Sequence, residues 1–142
     1  MKLNTMAAVM SFVSRMENDS SVFYRRWAEK YPELQDTFLS RAKENEKFEK
    51  MVKQTYFGVI TDALEACFSF QGLDTQDYEF QPTLPENASI SEVMKTAQEM
   101  ENRSRNFYLR TAEVSEGLMA DIPRLFRKIA KNKEERCLTF YG

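Results

Sequence analysis

Fourteen residues of this chain occur twice. Met16 to Glu29 reads MENDSSVFYRRWAE, Met100 to Glu113 reads MENRSRNFYLRTAE, and nine of the fourteen aligned positions are identical. The shared residues are Met16/Met100, Glu17/Glu101, Asn18/Asn102, Ser20/Ser104, Phe23/Phe107, Tyr24/Tyr108, Arg26/Arg110, Ala28/Ala112 and Glu29/Glu113. Unrelated segments of that length share about one residue. The chain is therefore two copies of one unit, and what each copy kept or lost bears on function.

Each copy has the periodicity of a helix. Met6, Val9, Met10, Val13, Ser20, Phe23, Tyr24 and Trp27 recur at spacings of three and four, and Pro32 closes this first helix near Tyr31. A second helix is predicted from about Leu34 to Tyr56, with Phe38, Ala42, Phe48, Val52 and Tyr56 on one face and Gly58 breaking or bending it. Val59 to Phe70 reads as a further short helix, and Leu73 to Ala88, which holds Pro82 and Pro85, as a linker. Ser89 followed by Glu92 is a capping box that starts the third helix. That helix carries Val93, Ala97, Ser104, Phe107, Tyr108 and Thr111 and ends near Gly117. Asp121 and Pro123 open a fourth, with Leu125, Phe126, Ile129, Ala130, Cys137 and Phe140 inward. The repeat reaches these second helices too. Phe38, Ala42, Lys43 and Glu46 match Phe126, Ala130, Lys131 and Glu134, at an offset of 88 instead of 84.

Two short-loop hairpins joined by one long connection predict an all-α, antiparallel four-helix bundle of ferritin-like type. It forms a single domain over 1–142, with halves at about 4–57 and 89–141 and a crossover at about 58–88 carrying the additional short helix. Twenty basic residues stand against 22 acidic ones, for a net charge of −2, so nothing marks a nucleic-acid partner. Cys67 and Cys137 lie 70 residues apart with no CxxC pair, which argues against structural zinc, a rubredoxin-type iron centre or a disulfide scaffold. Two free thiols fit a cytoplasmic chain. No apolar run reaches the length of about 20 residues that crosses a bilayer.

The pattern of Glu with Tyr seven residues later, in Glu17 to Trp27 and again in Glu101 to Thr111, resembles the rubrerythrin-like branch of the ferritin-like superfamily. The resemblance covers nearly the whole chain. It implies two irons between the helices, held by one Glu from each first helix and a Glu-x-x-His pair from each second helix. This chain keeps only Glu17 and Glu101. Where the resemblance calls for Glu and His it has Asn45 and Phe48 in one copy and Lys133 and Arg136 in the other, and histidine occurs nowhere.

Two carboxylates cannot offset two divalent cations as four do, and Lys133 or Arg136 would repel a metal ion. Buried carboxylates without partners are costly. We therefore expect a salt-bridged polar core of Glu17, Glu101, Asn45, Lys133 and Arg136, with hydrogen bonds from Ser20 and Ser104, and no cofactor or catalytic residue. The neighbouring aromatic residues read as packing. Glu44, Glu46, Glu49, Glu134 and Glu135 could supply other carboxylates only if the helices rotated, and a solvated face explains them better.

The function expected is that of a non-catalytic rubrerythrin-like protein, a binding or structural module that has lost its di-iron site. The alternative is a di-iron carboxylate oxidoreductase or iron-binding protein handling peroxide or oxygen. A third reading has the polar core binding a small organic ligand. The resemblance also implies a homodimer, for which the Val59 to Phe70 helix offers an apolar surface.

Overall fold

A computed structural model describes residues 2–59, 72–116 and 121–139 of the 142. Its elements are four long helices, α1 (Met6–Lys30), α2 (Gln35–Val59), α3 (Ile90–Val114) and α4 (Asp121–Thr139), with two short 3-10 turns at Pro32–Leu34 and Thr75–Asp77. No strand occurs among the described residues beyond an isolated bridge between Lys2 and Asp74.

Local chemistry sets the helix ends. Thr5 caps α1, its side chain accepting a hydrogen bond from the Ala8 amide at 3.1 Å. At the other end Tyr31 is extended (φ −118°, ψ 104°), as the clash with a following proline demands, and its amide closes the last turn on the Trp27 carbonyl. Pro32 then opens the 3-10 turn, so α2 begins at Gln35, one residue after the predicted Leu34. The capping box starts α3 at the predicted place, with Ser89 Oγ accepting from the Glu92 amide at 3.2 Å. Gly58 does not stop α2, which runs through it to Val59. A single glycine near a helix end costs about 1 kcal/mol, too little to break a helix of this length. Beyond Val59, the predicted Val59 to Phe70 helix and the dimer surface placed on it lie outside the described residues, as does Phe140.

The helices pack as two hairpins, α1 on α2 and α3 on α4. Across the hairpins, Tyr24 meets Glu101 while Glu17 meets Tyr108, so α3 descends as α1 rises. The directions are thus up, down, down, up, and only a long connection can join α2 to α3 in that order.

One apolar cluster draws on all four helices, including Val9, Phe12 and Val13, then Phe48 and Val52, then Phe107 and Tyr108, then Ile122, Phe126 and Ile129. Met10, Tyr56 and Leu125 sit partly buried at its edge. A second cluster, toward the other end, holds Phe23, Tyr24, Trp27, Phe38, Ala42, Val93, Ala97 and Met100. Each fully buried large side chain contributes about 1.5–3 kcal/mol. Between the two clusters lies a layer that is polar.

Candidate functional site: a buried ion-paired layer

Helical register brings the polar side chains together. Glu17 and Ser20 lie on the buried stripe of α1, Glu101 and Ser104 on that of α3. Asn45 follows Ala42 by one turn on α2, and Lys133 follows Ala130 on α4. Glu17, Glu101 and Lys133 are each 1% exposed, Arg136 5% and Asn45 not at all.

Lys133 stands at the centre. Its ammonium donates to Glu17 Oε2 at 3.0 Å and to Asn45 Oδ1 at 3.0 Å, and lies 3.8 Å from Glu101 Oε2. Arg136 donates through Nη1 to Glu101 Oε1 at 2.9 Å and to Asn45 Oδ1 at 2.7 Å. Its other edge grips Glu44, with Nε at 3.1 Å and Nη2 at 2.5 Å. Asn45 spans the layer, since its amide nitrogen donates to Ser20 Oγ at 2.8 Å while its oxygen accepts from both cations. The Phe48 ring lies 5.3 Å from the Lys133 ammonium and 5.5 Å from the Arg136 guanidinium, a cation–π floor under both. Glu17 and Glu101 against Lys133 and Arg136 sum to zero charge, the condition under which so many ionised groups can be buried.

The two copies of the repeat also clasp each other. Tyr24 donates to Glu101 at 2.5 Å and Tyr108 donates to Glu17 at 2.8 Å, so each copy's tyrosine serves the other copy's glutamate. Reading these rings as packing alone therefore misses half of what they do. The signal available in the sequence was the Glu–Tyr spacing of seven, kept in both copies where intervening residues changed. Glu44 was missed as well. It is half-exposed and reaches Arg136 from the rim.

On Glu101 and Arg136 burial and charge act in opposition, and on the tyrosines they act together. Burial alone would raise the Glu101 carboxyl, but Lys133 and Arg136 beside it, with the Tyr24 hydroxyl, outweigh that and hold it below the usual carboxylate range. Tyr24 and Tyr108 are pushed well above the usual phenol range by burial, reinforced by the anionic partner, Glu101 for one and Glu17 for the other. Burial would lower Arg136, yet Glu101 and the surrounding acceptors raise it further. The Cys137 thiol, raised by burial, donates to Asn102 Oδ1 at 3.4 Å.

The remaining carboxylates face away from this layer. Glu46 pairs with Arg25 at 2.5 Å and Glu49 with Lys53 at 2.8 Å, while Glu134 and Glu135 are exposed. Among the described residues, no group of three or more His, Cys, Asp or Glu side chains is placed to hold a metal ion. Nor is any described helix long and apolar enough to cross a membrane. Ser104 Oγ is buried and has no hydrogen-bond partner among the described residues. Set against protein-family models, curated proteins and solved structures, the chain matches none.

Proposed function

We propose that this chain is a non-catalytic, rubrerythrin-like bundle of the ferritin-like type, in which an internal ion-pair network takes the place of a di-iron centre and holds the four helices in one register. The observation that carries this is the Lys133 ammonium, 3.0 Å from Glu17 and 3.8 Å from Glu101, the two carboxylates that the resemblance would assign to iron. The up, down, down, up order with a long crossover supports the same reading.

The donor set is a poor fit to two irons. Both carboxylates are matched by cations, and the Asn45 oxygen already accepts from Lys133 and Arg136. A divalent ion entering here would displace an ammonium or guanidinium and leave it buried without a partner, at a cost of several kcal/mol. In this reading the module works by shape, as a rigid binding or structural unit, and the buried charges specify how the helices meet.

The test is anaerobic loading with Fe(II), desalting and elemental analysis. We expect substantially less than one iron per chain. Close to two per chain, the occupancy of a working di-iron site, would overturn the proposal.

A further inference from the structure

Beside the ion-paired layer, and separate from it, α1 and α3 enclose a cavity of about 160 Å³ whose outer wall is the crossover segment from Tyr78 to Pro82. Three pairs of equivalent residues from the repeat line it, Met16/Met100, Asp19/Arg103 and Ser20/Ser104, so the two halves meet here about their approximate twofold. Among the fourteen aligned positions of the repeat, Asp19/Arg103 is the one where an acid in one copy stands for a base in the other. A twofold that would set like side chains on either side of the cavity sets opposite charges there instead.

The pairing within the wall leaves those two charges over. Arg15 pairs with the Glu79 carboxylate at 3.2 Å, which fastens the crossover to α1. Asp19, half-buried, makes no ion pair with any described residue. Neither does Arg103, which donates to the neutral Glu79 carbonyl at 3.1 Å and stacks over Phe80. A carboxylate and a guanidinium without counter-ions in one lining of zero net charge disfavour a simple cation or anion, which one end attracts and the other repels. They suit a ligand that carries both signs. The other lining groups fit such a ligand. The Tyr78 hydroxyl and the Gln81 carboxamide have no hydrogen bond to another described residue and can donate to a carboxylate. Ser104 Oγ has no exposed surface and Ser20 Oγ is held by Asn45, so neither takes part. Phe12, Met16, Phe80 and Met100 supply apolar walls, and a cavity of about 150 Å³ accommodates benzene.

We propose that this cavity binds a zwitterionic α-amino acid whose apolar side chain holds no more than one ring. Its ammonium pairs with Asp19, its carboxylate with Arg103 aided by Tyr78 and Gln81, and its side chain lies among the phenylalanines and methionines. The site does not depend on how iron loading turns out, because none of the residues that read the ligand is an iron-ligand position.

The probe is L-phenylalanine, titrated into the full chain and followed by amide chemical shifts. Saturable shifts centred on Asp19, Phe80, Met100 and Arg103 are expected. Phenethylamine, which lacks the carboxylate, and 3-phenylpropionate, which lacks the ammonium, should each bind at least about fivefold more weakly. Glycine, which leaves the apolar walls uncovered, should lose at least about as much. Asp19→Asn should weaken L-phenylalanine by about fivefold and 3-phenylpropionate not at all, and Arg103→Gln should weaken L-phenylalanine as much and phenethylamine not at all. Absence of saturable shifts would overturn the proposal, as would a single-charge analogue or glycine binding as tightly as L-phenylalanine. An equal loss of all three aromatic ligands in Arg103→Gln would also sink it, by reducing Arg103 to a fastener of the crossover.

Discussion

A buried ammonium is tolerable only while its acceptors are in place, and Lys133 has Glu17, Asn45 and Glu101 around it in a space closed to water. Replacing it with methionine keeps the length of the stem and deletes the charge. Glu17 and Glu101 are then left with Arg136 and the two tyrosines, one cation for two carboxylates. Lys133→Met should lose about 3–5 kcal/mol in urea denaturation. Melting at or above the parent temperature would show that the pair adds nothing to stability. Combining it with Glu17→Gln removes a stranded charge as well, so the double variant should be less destabilised than the two single losses added, by about 1 kcal/mol or more. The members of this cluster on the helix stripes could be read from the chain because helical arithmetic puts Glu17 in line with Val13, Ser20 and Tyr24. The tyrosine contacts could not. Tyr108 reaches a residue 91 positions away, and no periodicity within one helix says which opposing side chain it will meet.

At the scale of the helix, what was legible is what the neighbouring few residues decide. Pro32 and the Ser89–Glu92 box each act on the backbone within one turn, and the ends they set fall where the sequence places them, within a residue. The end of α2 was misjudged because it depends on a sum. Gly58 lowers helix propensity at one position, while the preceding turns of an established helix favour continuation. Caps, by contrast, act singly. Ser89→Ala removes the one side-chain acceptor at the start of α3 and should cost about 1 kcal/mol, read as a lowered denaturation midpoint with unchanged slope. A loss below about 0.3 kcal/mol would mean that the Glu92 amide finds water as good a partner.

For the bundle as a whole, the polar layer joins all four helices through specific partners, where the apolar cluster that also draws on all four asks only for shape. A helix shifted by one turn can meet other apolar side chains, but it would pull Lys133 and Arg136 from Glu17 and Glu101. That makes the stability of the whole molecule depend on pH from both sides. On the acid side, Glu101 is held below its usual value in the fold. Its contribution is therefore complete above the unfolded carboxylate value of about 4.3 and is lost as pH falls from there through the folded one. On the alkaline side, Tyr24 and Tyr108 are raised, so their contribution is complete below the unfolded phenol value of about 10 and declines as pH rises beyond it. Urea midpoints should thus form a plateau between the two limits and fall on either side. In Glu101→Gln the whole curve drops but its acid limb flattens, because the group that titrates differently in the two states has gone. In Tyr24→Phe combined with Tyr108→Phe the alkaline limb flattens, while the acid limb shallows only in part, since Lys133 and Arg136 still hold Glu101 down once the Tyr24 hydrogen bond is lost. Limbs of unchanged steepness in these variants would place the pH dependence on the surface carboxylates and lysines instead, and with it the claim that this buried layer fixes how the four helices meet would fall.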